Sequence, residues 1–335
     1  MISPMALELI DDKPQMVCAD NNVANNSKSN VSSLVSCNVS GNIIGSPSND
    51  QQLKLRIAKQ FSRAAKRYDS AAQIQIEIAS EALRLFKDQA YGTNKCRLLD
   101  RSPKFILDIG CGTGRVTRQL AAMYVNQQQH TLAMDLALGM LQYAEQTTTK
   151  QAVEQQANHL PNIHWLQGDA EHIPMGDNTV GGVFSSMALQ WCKNSTQVCH
   201  EINRVLAPNA QGILAIMCAG SMHELDACWQ HIDSARQINH FDSADKWLNA
   251  AQKAGLQVEM QQKNFVTWHA NVKALLGSMK QIGANVVTSN AQQKAISRRT
   301  FQQLEQYYQH EFGNIQGLPL TYSVCFLQIR KNANE

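Results

Sequence analysis

The spacing of apolar residues predicts two helices in the first third of the chain. The first begins near Gln51, and its apolar positions recur every three or four residues as one stripe: Leu53, Ile57, Phe61, Ala64, Ala65 and Tyr68. The second covers about 71–86 and repeats this spacing at Ile74, Ile78, Ala82 and Leu85. Each helix therefore has one face suited to packing on the rest of the protein.

Beyond residue 104, short apolar runs alternate with helical segments. The runs that read as strands are 105–110, 131–136, 162–169, 180–186 and 212–219. The clearest helices between them are 115–124 and 195–206, and the second is followed by a predicted turn between Pro208 and Gly212. Apolar strands alternating with helices are typical of a parallel sheet covered on both faces.

The last third of the chain has a different pattern. Two longer strands, 256–268 and 320–329, flank a helical insert of about 271–313. The fold class predicted from the whole pattern is α/β, with helices before the sheet and a helical insert before the last strand.

Composition separates an N-terminal extension from the folded domain. Residues 21–50 contain eight Asn and eight Ser, which leaves little apolar surface to offset the entropy of ordering the chain. We therefore expect residues 1–50 to be disordered and residues 51–335 to form one domain.

Cysteine usage and hydropathy exclude several classes of protein. The nine cysteines are an odd number without a CxxC pair, which favours neither a disulfide framework nor a zinc site. No apolar run reaches the roughly 18 residues of a membrane span, and no basic segment with an apolar core begins the sequence. These features predict a cytoplasmic protein with no metal and no membrane partner.

Charge is concentrated on the first predicted helix. The chain carries a net charge of +3, yet residues 51–70 hold six bases against the single acid Asp69. Such a local field favours an acidic partner, while the simpler alternative is a solvated helix face.

The strongest chemical signal is the run ILDIGCGTG at 106–114. A strand ends at Asp108, and Gly110, Gly112 and Gly114 allow a tight turn that brings backbone N–H groups close to a ligand. The dinucleotide pattern GxGxxG would need glycine where Arg115 stands, and no phosphate-loop pattern GxxxxGK[ST] is present. The loop therefore disfavours NAD, FAD and nucleoside triphosphates.

Two further carboxylates follow the next two strands. Asp135 ends the second strand, where a carboxylate can accept both hydroxyls of a ribose; the alternative is an exposed strand end. Asp169 ends the third strand and can accept from an adenine amine or cap a turn, with the backbone N–H of Ala170 beside it. We expect Asp108 to fix the glycine loop and meet a ligand ammonium.

These features resemble class I S-adenosylmethionine-dependent methyltransferases over about residues 100–220. The resemblance implies a Rossmann-like seven-stranded sheet whose last strand, here about 320–329, runs antiparallel, and S-adenosylmethionine as methyl donor. Enzymes of this class that methylate bases carry an Asn/Asp-Pro-Pro-aromatic cluster where this chain reads SSMALQW at 185–191. Nucleic acid is therefore not expected as a partner, and Trp191 is either a core or a pocket residue.

Five segments outside the generic core resemble a narrower family. They are KQFSRAAKRYDSAAQIQ (59–75), ALQWC (188–192), GSMHELDACW (220–229), MKQIGAN (279–285) and LPLTY (318–322). Together they are similar to the BioC family of malonyl-acyl carrier protein O-methyltransferases. The resemblance implies methyl transfer to the free carboxylate of malonyl-acyl carrier protein or malonyl-coenzyme A, the methyl ester that starts pimeloyl synthesis for biotin. The long extension and Ser186, where relatives often have Asn, depart from the family pattern.

The implied chemistry needs no catalytic base, because a malonyl carboxylate is already ionised at neutral pH. Candidates for binding that carboxylate are Lys280, Arg298 and Arg299. Tyr68 and Arg63 are expected to close over the cofactor, and acidic acyl carrier protein is expected to dock on the bases of the first helix and of the insert. The alternatives are a methyltransferase of a free small acid or quinone precursor, and a non-catalytic cofactor-binding module.

Overall fold

The seven predicted strands and one further strand form a single mixed sheet. The computed structural model describes residues 35–36, 48–91, 105–123, 129–155, 162–232, 239–282 and 297–333. The strands are β1 (Val35–Ser36), β2 (Phe105–Ile109), β3 (His130–Asp135), β4 (Ile163–Gln167), β5 (Val180–Ser186), β6 (Leu206–Met217), β7 (Leu256–His269) and β8 (Leu318–Lys331).

The order of strands across the sheet is β1-β4-β3-β2-β5-β6-β8-β7. Every neighbouring pair is parallel except those of β8, which runs antiparallel to both β6 and β7. The predicted seven-stranded sheet with an antiparallel last strand is confirmed in β2–β8. The eighth strand, β1, was not predicted, because it comes from the Asn/Ser-rich extension.

Nine helices are described in these parts of the chain. They are α1 (Asn49–Ala71), α2 (Gln73–Tyr91), α3 (Arg115–Met123), α4 (Leu138–Glu154), α5 (Ser195–Val205), α6 (His223–His231), α7 (Ala244–Lys253), α8 (Val272–Gln281) and α9 (Arg298–Phe312). A short 3₁₀ turn, Leu189–Trp191, follows β5. Of these helices, α6 and α7 were not predicted.

Alternation along the strands divides the core between the two faces of the sheet. Ile106 of β2 is buried with side chains of α2, α6, α8 and α9. The next residue, Leu107, is buried with side chains of α5 and α7. Successive side chains of a strand point to opposite faces, so apolar strands without a polar face fit a sheet covered on both sides.

Helix α1 begins at a capping box and lies over the carboxyl ends of the strands. Ser48 accepts from the backbone N–H of Gln51, whose side chain accepts from the backbone N–H of Ser48. The apolar stripe predicted for this helix is observed, with Leu53, Ile57 and Ala65 buried. The helix packs on α4 and α8, next to the crevice between β2 and its neighbours.

Three boundaries differ from the sequence prediction or fall partly outside the described residues. The turn predicted between Pro208 and Gly212 lies inside β6, where the pairing with β5 shifts register and Asn209 has φ 65°. Within the extension predicted for 1–50, residues 35–36 form β1 and 48–50 begin α1, and the rest lies outside the described residues. Of the insert predicted for 271–313, α8 and α9 are described and 283–296 are not.

Candidate active site

The glycine loop after β2 approaches its neighbours closely. The backbone N–H groups of Gly110 and Cys111 both donate to the carbonyl of Met134, over 2.7 and 3.0 Å. A Cβ on Gly110 would lie 2.1 Å from the Cβ of Ala188, and Gly110 has φ 73°. Glycine is therefore required at this position both by conformation and by contact.

Gly112 is different, because its open side faces a cavity. It has φ 54°, and a Cβ built on it would meet no atom of the described residues within 4 Å. Its backbone N–H donates to Oδ2 of Asp135 over 2.8 Å. The loop thus leaves room for a ligand directly above its backbone.

The carboxylate of Asp135 is held in place by backbone donors on two sides. Its Oδ1 accepts from the N–H of Ala137 over 2.8 Å, while Oδ2 accepts from Gly112. Burial raises the pKa of Asp135, and these backbone hydrogen bonds oppose the shift. Backbone donors engage only part of its four lone-pair positions, so the carboxylate can still accept from a ligand.

Asp108 is a buried carboxyl beneath the loop. It is 2% exposed and accepts a hydrogen bond from the hydroxyl of Thr117 over 2.6 Å. Burial raises the pKa of Asp108 to about 7, although the hydrogen bond from Thr117 acts in the opposite direction. A cation bound nearby would favour its ionised form.

Asp169 follows β4 and is bound by a lysine from α1. Lys54 Nζ lies 2.7 Å from Oδ2 of Asp169 and 2.6 Å from Oε2 of Glu171. Oδ1 of Asp169 accepts from the backbone N–H of Glu171 over 3.0 Å. The sequence predicted the role of Asp169 at a ligand but gave no indication of this ion-pair cluster.

Two adjoining cavities meet at the glycine loop. Counted with the open solvent at its mouth, the first has a volume of about 830 Å³, and Asp135, Asp169 and Ala170 lie in its wall. Counted in the same way, the second has a volume of about 650 Å³, with Asp108, Asp69 and Arg115 in its wall. The residues that line both are Tyr68, Gly110, Gly112, Ser186 and Met187.

Aromatic residues cover the first cavity. Phe61 of α1 meets Trp191 edge to face, with ring centroids 5.5 Å apart, and both line the cavity. Trp191 is thus a pocket residue. Burial, followed by the nearby charges of Asp135 and Asp69, raises the pKa of Tyr68 above its ordinary value, so its hydroxyl stays protonated at neutral pH.

Ser186 lies where the two cavities join. Its Oγ is buried and has no hydrogen-bond partner among the described residues. Buried polar atoms are nearly always paired, so this hydroxyl is available to a ligand. In the sequence, Ser186 stands out only as a departure from the pattern of the family that the chain resembles.

The structure brings together most, but not all, of the predicted site residues. Asp108, Asp135, Asp169, Ala170, Tyr68, Gly110 and Gly112 line the cavities, and Gly114, with φ 72°, begins the turn into α3. Four predicted residues are exposed and line neither cavity: Arg63, Lys280, Arg298 and Arg299. Arg115 is the one cation in the wall of the second cavity as far as the described residues show.

Metal-binding clusters and membrane-spanning helices are both absent from the described residues. No group of three His, Cys, Asp or Glu side chains lies close enough together to hold a metal ion. None of the described helices combines the length and apolar character needed to cross a bilayer.

Comparison with known proteins adds an independent line of observation. A family described as "Methyltransferase domain" matches residues 107–216, which include the glycine loop and all three carboxylates. The chain is 31% identical over 288 residues to the biotin biosynthesis bifunctional protein BioHC of Teredinibacter turnerae, covering 85% of this chain and 48% of that protein. It thus spans about half the length of that relative.

Two single-function relatives are matched over nearly their whole length. The malonyl-[acyl-carrier protein] O-methyltransferase of Alcanivorax borkumensis is 32% identical over 282 residues, 83% of this chain and 87% of the relative. The enzyme of the same name from Dechloromonas aromatica is 32% identical over 279 residues, 83% of this chain and 95% of the relative. With the glycine loop and the three carboxylates in place, this chain belongs to the malonyl-[acyl-carrier protein] O-methyltransferase family.

Proposed function

We propose that the protein transfers a methyl group from S-adenosylmethionine to the free carboxylate of malonyl-acyl carrier protein. The product is the malonyl methyl ester that starts pimeloyl synthesis for biotin. The observation that carries this proposal is the convergence of Asp108, Asp135 and Asp169 on two cavities that join at Ser186. The names of the similar enzymes support the choice of acceptor.

The residues present fit S-adenosylmethionine. Asp135 has free lone pairs for the ribose hydroxyls, and Asp169 has them for the adenine amine. The open space above Gly112 accommodates the cofactor backbone, and Asp108 favours a cationic group in the second cavity. When bound, the cofactor supplies an electrophilic methyl group on a sulfonium centre.

The protein's part in the reaction is alignment and exclusion of water. A malonyl carboxylate is ionised at neutral pH, so one of its oxygens attacks the methyl carbon while the C–S electron pair goes to sulfur. Holding two reactants in line can supply about 7–11 kcal/mol. Phe61, Trp191 and Met187 form apolar walls that keep water from the junction of the cavities.

The basic face of α1 is the surface we propose for an acidic carrier protein. Arg56, Lys59, Arg63 and Lys66 are exposed and recur every three or four residues, so they share one face of the helix. Residues on the opposite side of the same helix line the first cavity. A carrier docked here therefore holds its prosthetic arm next to the site.

Recognition of the substrate carboxylate by Lys280, Arg298 or Arg299 remains a proposal. All three side chains are exposed, and residues 283–296, which connect α8 to α9, lie outside the described residues. Arg115 is an additional candidate, because it already lines the second cavity.

Mass spectrometry of malonyl-acyl carrier protein tests the proposed function directly. After incubation with the protein and S-adenosylmethionine, the carrier should gain the mass of one methylene, while an acetyl-loaded carrier should gain nothing. Malonyl-coenzyme A run in parallel shows whether the carrier is preferred. No gain, with cofactor binding established by calorimetry, would leave a free small acid or quinone precursor as acceptor, or a binding module without turnover.

A further inference from the structure

Lys54 of α1 and Asp169 after β4 meet at the wall of the first cavity. One ammonium group lies within 2.7 Å of carboxylate oxygens from both Asp169 and Glu171. Oε1 of Glu171 accepts in turn from the backbone N–H groups of Lys193 and Asn194, just before α5. Lys54 therefore connects α1 to the segment after β4 and, through Glu171, to the start of α5.

Lys54 also neutralises two neighbouring carboxylates. The side chains of Asp169 and Glu171 are 15% and 7% exposed, so two carboxylates stand close together with little water to screen them. Burial disfavours the ammonium of Lys54, but the hydrogen bonds that it donates to both carboxylates outweigh this and raise its pKa. The other titratable groups that face this cluster are Asp50, Lys193 and Cys192.

Asp169 keeps room for a ligand donor beside Lys54. Oδ2 accepts from Lys54 and Oδ1 from the backbone of Glu171, which uses two of four lone-pair positions. An adenine amine therefore adds to these bonds and does not have to displace the lysine. The amine does require acceptor oxygens in fixed positions, and Lys54 and the backbone of Glu171 hold the two oxygens of Asp169.

From this arrangement we infer that Lys54 is a positioning residue for adenine recognition: it holds Oδ2 of Asp169 in place as part of the acceptor for the amine and keeps α1 over the cavity. The inference rests on the cofactor part of the proposed function. Without the ammonium, the carboxylates of Asp169 and Glu171 repel each other, and Asp169 loses the bond that orients it. Affinity for an adenine ligand then falls.

Calorimetry with two ligands tests the inference. S-adenosylhomocysteine carries the amine, and S-inosylhomocysteine carries an oxygen in its place. For Lys54→Met we expect affinity for S-adenosylhomocysteine to fall at least about tenfold at pH 7, and preference over the inosyl ligand to fall with it.

Three further variants make the result specific. Lys54→Arg keeps the charge and should recover most of the preference, and Lys253→Met on the exposed side of α7 should bind like the wild type. Lys54→Met combined with Glu171→Gln removes the competing carboxylate, so the preference for the amine should return without the lysine. If Lys54→Met alone does not fold, the double variant still tests the inference.

Each contrary result has a distinct meaning. If Lys54→Met lowers affinity for both ligands equally, Lys54 only holds α1 in place and the inference is wrong. Unchanged binding of both ligands overturns it as well. A wild-type protein that binds neither ligand refutes the cofactor assignment on which both the inference and the proposed function depend.

Discussion

The hydroxyl of Thr117 donates to the buried carboxyl of Asp108 over 2.6 Å, from the first turn of α3 to the end of β2. This bond ties the helix after the glycine loop to the strand before it. It does not compensate for the burial of Asp108, whose pKa stays raised at about 7. The bond therefore holds the loop in place, while burial keeps the ionised form of Asp108 unfavourable.

Asp108→Asn should stabilise the empty protein at alkaline pH. In the wild type the folded pKa lies above the unfolded value of 3.8, so the stability this group contributes is present below about pH 4 and is lost as pH rises through about 7. The difference in unfolding free energy between variant and wild type should grow over that window, to at most about 4 kcal/mol at 1.36 kcal/mol per pKa unit. Urea unfolding at a series of pH values measures it, and a difference that stays constant with pH would contradict the assignment.

Asp135→Ala should weaken cofactor binding. The variant loses a charged acceptor for the ribose hydroxyls and the bonds that position Gly112 and Ala137, a loss of about 1–3 kcal/mol. Calorimetry with S-adenosylhomocysteine measures the change, and Asp245→Asn at an exposed position of α7 serves as the control. Unchanged affinity would refute the ribose assignment.

Alanine at two glycines of the loop should affect different properties: stability at Gly110 and ligand binding at Gly112. Gly110→Ala places a Cβ 2.1 Å from Ala188 Cβ and strains the backbone, so stability should fall by about 2–5 kcal/mol. The methyl group of Gly112→Ala meets no atom of the part of the chain that the structure describes, so backbone strain of about 1–2 kcal/mol is its main cost to folding. The same methyl group enters the ligand space. Thermal unfolding and ligand calorimetry on both variants separate the effects; a Gly112→Ala protein with wild-type affinity would show that the space is not used.

Reversing a charge on the exposed face of α1 should weaken the use of carrier-bound substrate only. Lys59→Glu should raise KM for malonyl-acyl carrier protein several-fold, because acidic carrier and helix then repel each other. Turnover of a small malonyl thioester that carries no carrier protein should not change. The control variant Lys253→Glu should leave the turnover of both substrates unchanged. In the wild type, raising salt from about 50 to about 300 mM should weaken use of the carrier, and equal turnover at both concentrations would count against docking on this face.

The sequence predicted the sheet and the loop because their signals are local. Apolar runs and glycine spacing lie within ten residues, and parallel strands bring their carboxyl ends to one edge, so Asp108, Asp135 and Asp169 converge as expected. The same reasoning could not find the contact between Lys54 and Asp169, which are 115 residues apart in the chain. In the sequence, Lys54 is one of six bases on a helix and has no feature that distinguishes it from the five others.

The candidates for binding the substrate carboxylate show a different limit. Charge indicates Lys280, Arg298 and Arg299, and of these only Lys280 lies in a segment that resembles the family, MKQIGAN. Neither signal fixes where a helix end points. The structure leaves all three exposed and puts Arg115 in a cavity wall. In the sequence, Arg115 stands out only as a residue that breaks a dinucleotide pattern.

The position of β8 also constrains the order in which the protein can assemble during its synthesis. β8 lies between β6 and β7 and pairs with β7 along all 14 residues, yet it follows both of them in the chain. Until it emerges from the ribosome, β6 and β7 each have an unpaired edge, the kind of surface on which other nascent chains associate. Completion of the sheet is therefore a late, long-range step, and chaperones that shield strand edges would act on this protein between the synthesis of β6 and that of β8.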